Sequence, residues 1–169
     1  FQSYMLVMAV VHFIGLGFGT YLGGLLAERY SRRNVAAYAW VPIAAILLGA
    51  PCLMLAFWVD SVPLHLMFIG IYITLSGVWV APCFAAAQTL VPVRMRAMST
   101  AMFFLILNII GLGCGPTYVG LLSDMLMPAY GELQSLRLAI TSLAVVYVIG
   151  IGFFLLAAKN LRYDWPIES

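Results

Sequence analysis

Residues 1–27 read FQSYMLVMAVVHFIGLGFGTYLGGLLA, 27 positions without one Asp, Glu, Lys or Arg. A helix needs about 20 mainly apolar residues to cross the hydrocarbon core of a bilayer, so this stretch is a membrane span with residues to spare. Four more uncharged stretches of spanning length follow: Asn34–Val59, Ser61–Val93, Ala97–Ser123 and Leu138–Ala158. The chain therefore reads as an all-α polytopic membrane protein of five transmembrane helices, at about 2–27, 35–59, 63–91, 97–123 and 136–158. These make one helical domain over residues 1–169, with no internal repeat or linker.

Composition agrees. Hydrophobic residues are 64% of the chain and charged ones 8%, against roughly 25% charged in soluble domains, and the five spans leave almost nothing over for a soluble domain. The net charge of +2 gives no footprint for nucleic acid. Cys52, Cys83 and Cys114 fall inside the apolar stretches and read as packing residues rather than a disulfide set or metal site. The first stretch lacks the basic start and small-residue cleavage site of a signal peptide. An enzyme would need a nucleophile beside a base, clustered ligands or a nucleotide loop. With only His12 and His65, far apart in sequence, neither enzyme chemistry nor a metal or cofactor is expected.

The cations orient the spans. Arg29, Arg32, Arg33, Arg94, Arg96, Lys159 and Arg162 follow the first, third and fifth spans, whereas the opposite connections hold only Arg137. By the positive-inside rule the larger set marks the cytoplasm, where the C-terminus then lies, and Asp60–Pro63 and Asp124–Leu136 connect the spans outside. A plasma or inner membrane is the expected location. The first span then runs inward from outside, which predicts another helix upstream.

Within the spans, Pro42 and Pro51 should bend the second and Pro82 the third, because proline removes a helix donor. Met127–Gly131 should break the chain before the last helix. Gly15, Gly19 and Gly23 recur every four residues, a seam that lets another backbone come close. His12 lies within about 60° of that stripe at 3.6 residues per turn, as either an interhelical hydrogen bond or a proton or substrate contact. In the fourth span Gly111, Gly115, Pro116 and Gly120 form a packing hinge. Asn108 shares a face with Gly111 and Gly115, for packing or for ligand. The third span suits a cavity wall: Thr74, Ala81 and Gln88 make one stripe, and Tyr72, Ser76, Trp79 and Cys83 another. Trp79 is a substrate-facing or a core aromatic, since membrane tryptophans favour the interfaces. Thr74, Trp79, Gln88 and Asn108 are the cavity candidates.

The first cytoplasmic loop, Gly24-Leu25-Leu26-Ala27-Glu28-Arg29-Tyr30-Ser31-Arg32-Arg33, resembles the loop pattern of the major facilitator superfamily: Gly, three residues, an acid, a base, one residue, Gly, two bases. Glu28 stands in place of the usual Asp, and Ser31 in place of the second Gly. An acid here can accept from the free N–H groups at another helix's N-terminus, and the arginines can pair with carboxylates or lipid phosphates. Gly24, Glu28, Arg29, Arg32 and Arg33 thus make a conformational latch. Plain positive-inside anchoring would explain the arginines but not Gly24 and Glu28.

Further stretches are similar to the C-terminal half of spinster-type members of that superfamily: Pro92–Ala97, Asn108–Pro116, Gly120–Asp124 and Leu136-Arg137. The resemblance implies that the five spans are the last five of twelve helices, the remaining helix of this six-helix bundle and the N-terminal bundle being missing. It implies a secondary transporter working by alternating access on a small amphipathic molecule such as a lysophospholipid or sphingoid lipid, within membrane lipid. Should protons drive it, the main carboxylate is expected upstream, because relays in membranes use Asp, Glu or His and His12 alone lies at depth. The competing class is a non-transporting assembly or receptor-like module held by the glycine seams.

Overall fold

The structure, a computed structural model, describes residues 2–165. Among them α1 (Gln2–Ser31) and α2 (Ala37–Trp58) are each one span, and α3 (Val62–Val78) with α4 (Val80–Thr89) makes the third. The fourth is assembled from α5 (Arg96–Ile106), a π-helical segment Leu107–Cys114 and α6 (Gly115–Tyr130), and α7 (Glu132–Asp164) is the fifth. All five are long and apolar enough to cross a membrane.

The prolines act unequally. The third span breaks at Trp79, three residues before Pro82. Pro82 offers no N–H to the Val78 carbonyl one turn back and its ring crowds that oxygen, so the helix ends at Val78 and restarts at Val80. α2 runs as one helix from Ala37 to Trp58, with Pro42 and Pro51 inside it. Pro42 is fully buried there and Pro51 exposed, so the helix continues through both a buried and an exposed proline. Pro128 likewise does not end its helix, which continues to Tyr130.

At the outer end, meaning the end away from the arginine-rich loops, the connection between the last two spans is thus far shorter than the expected Asp124–Leu136. It turns on Gly131, with φ 77° and ψ 168°, a region that side-chain-bearing residues avoid. The fifth helix consequently starts before Arg137, and that cation belongs to its second turn rather than to a loop. At the other outer turn the sequence expectation holds: α2 ends at Trp58, Val59 is extended, and Pro63 occupies the first turn of α3, where a missing donor costs nothing.

α3 is the hub, packed on α1 and α2, while α4 meets α5, α2 meets α7 and α6 meets α7. The antiparallel pair α2 and α7 is joined at both ends. Near the middle and outer end Leu53, Ala56, Ile69, Ile73 and Ile140 form one apolar core. At the inner end Ala36, Ala39, Ala158 and Leu161 form another, flanked by the Tyr38 and Trp165 rings stacked at 4.9 Å.

The glycine seam of α1 finds its partner inside this bundle. A Cβ at Gly19 would overlap the Thr74 carbonyl, one at Gly23 the Val78 carbonyl, and one at Gly77 would lie 2.6 Å from the Leu16 carbonyl oxygen. The two backbones touch with no side chain between them, which only glycine allows. The Val78 carbonyl that Pro82 leaves without its helical donor is the one that Gly23 admits. The fourth span, by contrast, has no buried residue. Large apolar side chains such as Phe13, Leu112 and Phe153 are 85%, 68% and 69% exposed. So much uncovered apolar surface suits lipid or further helices, not water.

Candidate functional site

The sequence candidates fall in three places rather than one. The first is the seam between α1 and α3. Thr74 faces it: its Oγ1 would lie 3.1 Å from a Cβ at Gly15, and the hydroxyl donates to the Gly70 carbonyl at 2.9 Å. Satisfied within its own helix, Thr74 stands at a helix contact and not on an open wall. His12, one turn outward on α1, is exposed beside the buried Gly15.

The second place is the inner end of spans three and four. Gln88 donates from Nε2 to Thr100 Oγ1 at 3.1 Å, and Ser99 donates to the Ala87 carbonyl at 2.7 Å. The Phe84, Phe103 and Phe104 rings pack beside them with centroids 5.7 to 6.0 Å apart. Gln88 is therefore a tie between helices, half-buried, with its amide partly committed. Trp79 marks the break between α3 and α4 and is likewise half-buried.

The third place is the π-helical segment. Asn108 is exposed and donates from Nδ2 to the Phe104 carbonyl at 2.7 Å, which leaves its amide oxygen outward. Nothing among the described residues lies within 4 Å of a Cβ built at Gly111, Gly115 or Gly120, so the packing expected of them has no counterpart within this bundle. Pro116 stands in the first turn of α6, where the π-helical turns end. A wide π-turn followed by a proline is a local departure from α-helical bonding of the kind found at functional sites. The fourth span does not touch α1, so His12 and Asn108 lie on separate flanks of the α3–α4 hub.

At the inner end of α1, Gly24 packs on α4, a Cβ there falling 3.5 Å from that of Ala81. Among the described residues Glu28 reaches no other helix's N-terminus. Its Oε1 accepts from Arg32 at 3.3 Å on the same helix, both side chains mostly exposed, because four residues place the pair one turn apart. Arg29 and Arg33 make no ion pair among the described residues. A recess of about 600 Å³ lies between α1, α2 and α3, lined by residues that include Leu26, Arg33 and Trp40; none of the cavity candidates lines it.

Sequence reasoning passed over a polar set along α7. Tyr147 meets Tyr72 with hydroxyls 3.2 Å apart, Ser142 meets Tyr118 at 3.1 Å, and the fully buried Ser135 meets Ser123 at 3.3 Å. Ser135 and Ser142 are seven residues apart, a stripe the sequence does display. Outside it, Arg137 donates to Asp60 at 2.6 Å and lies 5.9 Å from the centre of the Trp58 ring, while Trp58 Nε1 donates to Thr141 at 3.3 Å. This cluster clasps α2 to α7 at the outer end.

No family model matches the chain. It is 31% identical over 146 residues, 86% of this chain, to an MFS-type efflux pump of Mycolicibacterium smegmatis. It is 29% identical over 154 residues to protein spinster homolog 3 of Mus musculus and 27% identical over the same length to spinster homolog 1 of Xenopus laevis. These alignments take in 34%, 30% and 29% of the relatives, so the chain spans about a third of the length of the curated relatives it matches. Two crystal structures of a bacterial homolog of the human lysosomal transporter spinster, inward-facing and either occupied or unoccupied, superpose over 92% of this chain. Their TM-scores are 0.79 and 0.82, at 23% and 22% identity, and the match covers 41% and 40% of those chains.

Proposed function

We propose, for a chain that forms most of one six-helix bundle of the major facilitator fold and resembles the C-terminal half of spinster-type transporters, that the intact protein is a secondary active transporter. In this reading two helix bundles rock about a central site in alternating access and move a small amphipathic or lipid-like molecule. The observation that carries it is the similarity to a membrane efflux pump and to spinster homologs along most of this chain. The uncovered apolar face of the fourth span supports it as well, since a second bundle needs such a face.

The partners in this reading are a second helix bundle, membrane lipid and the amphipathic substrate, in a plasma or inner membrane with the arginine-rich side cytoplasmic. Proton drive belongs to the same proposal. Its main carboxylate would lie outside the described residues, with His12 as the local imidazole. Thr74, Trp79, Gln88 and Asn108 remain the residues to test for substrate contact, of which Asn108 alone is exposed. Glu28 then alternates between Arg32 and a helix N-terminus as the bundles rock.

The non-transporting module is the weaker reading because the α1 glycine seam is already used within the chain, against α3, and the relatives along most of the chain are named as an efflux pump and spinster homologs. Glu28→Ala in the full-length protein separates the two. The transporter reading predicts flux lowered several-fold with an unchanged melting temperature, since an exposed pair of this kind contributes little to folding. Impaired assembly in a protein that never shows flux would instead favour the module.

A further inference from the structure

The recess beside α1 has the features of a lipid site, and we infer that it holds one anionic glycerophospholipid from the leaflet that the arginines mark. This goes beyond the transport reading, because it requires only that the bundle stand in a bilayer and that no further helix occupy the recess. α1 and α2 diverge above α3, and the gap of about 600 Å³ has Leu75 and Val78 of α3 as its floor. Its α2 wall extends from Ala37 to Leu48. At 1.5 Å per residue that is about 16 Å, close to half of a hydrocarbon core about 30 Å thick, the depth of one leaflet.

The two ends differ in chemistry. Leu22, Leu26, Ala44 and Leu48 line the deep part, while Arg33 and Tyr30 stand at the mouth and Trp40 one turn below it. Tyrosine and tryptophan settle at headgroup level in membranes. Arg33 is exposed there and makes no ion pair among the described residues; Arg32 next to it is neutralised by Glu28. A guanidinium at the mouth of an acyl-lined slot matches a phosphate, which it can bind through paired N–H donors. A zwitterionic headgroup answers the same cation less well, because its own ammonium opposes it.

The test uses the full-length protein purified in neutral detergent, with lipid retention read by native mass spectrometry after adding phosphatidylglycerol or phosphatidylcholine. The wild type should retain one phosphatidylglycerol in clear preference to phosphatidylcholine. Arg33→Gln should cut that preference about five-fold, the equivalent of about 1 kcal/mol for one surface cation at 1.4 kcal/mol per tenfold, and Arg33→Lys should keep most of it. Ala44→Phe, on the exposed wall, should fill the slot and lower retention of both lipids by one molecule, with the melting temperature showing that the fold survives. Arg94→Gln, a cation on the same side between spans three and four, should change nothing. Retention unchanged in both Arg33→Gln and Ala44→Phe, or no retained phosphatidylglycerol in the wild type because another helix fills the gap, would overturn the assignment.

Discussion

At the scale of single residues, the sharpest constraint is the backbone contact at Gly19, Gly23 and Gly77. Gly19→Ala would drive a methyl group into the Thr74 carbonyl, and overpacking of this kind costs about 1–3 kcal/mol. Its melting temperature in detergent should fall by several degrees. Gly17→Ala, two residues away with nothing within 4 Å, should leave it unchanged or slightly raised, since alanine favours helix. Equal losses in the two variants would mean that the seam is not closed as described. The two ion pairs make a similar contrast. Arg137 is only 15% exposed and also faces the Trp58 ring, whereas Glu28 and Arg32 are 66% and 78% exposed. Double-mutant cycles should give a coupling of about 1 kcal/mol for Asp60 with Arg137 and below about 0.5 kcal/mol for Glu28 with Arg32. The four-residue glycine repeat was legible in the sequence, but its partner was not. Periodicity says which face is small, and only packing says that Gly77 answers it. The Asp60–Arg137 pair joins residues 77 apart in sequence, a separation at which charge pattern carries no signal.

At the scale of elements, the placement of the five helices was legible because lipid demands length and apolarity, and both can be counted along the chain. Their ends were less so. Helices continue past the last uncharged residue, as α7 does through Arg137 and Lys159, because charged side chains at the interface extend to water while the backbone keeps its bonds. The prolines inside the spans differ: helices continue through Pro42, Pro51 and Pro128, whereas the third span breaks three residues before Pro82. What separates Pro82 is that the carbonyl it disables, that of Val78, is met by Gly23 across the seam. Pro82→Ala should let residue 82 donate to that carbonyl and join α3 to α4. Amide exchange over residues 79–83 should then slow by up to about tenfold, the worth of one helical hydrogen bond. Unchanged exchange would show that the seam, and not the proline, sets the break. The π-helical segment lay hidden, because Leu107–Cys114 carries the same apolar composition as its flanks and its register depends on how Gly111, Gly113 and Pro116 are accommodated.

At the scale of the whole molecule, the five spans pack into a bundle with one side closed and another open. Spans two and five are tied at both ends through the Tyr38–Trp165 stack and the Asp60–Arg137 clasp, while span four leaves its residues uncovered. In the transporter reading proposed above, such a bundle moves as a body against a second one, with α2 and α7 as its back. The candidate cavity was the least legible part. Helix faces could be drawn from the sequence, but which of them meets a neighbour depended on the hub position of α3, and that turned Thr74 toward a seam and tied Gln88 to Thr100. The central claim, transport of an amphipathic molecule by the intact protein, is tested most directly by uptake of a labelled lysophospholipid into proteoliposomes of the full-length protein, with and without an imposed pH gradient. The account predicts saturable uptake that the gradient accelerates and that Glu28→Ala slows several-fold. Folded protein that moves no amphiphile with or without the gradient would contradict it.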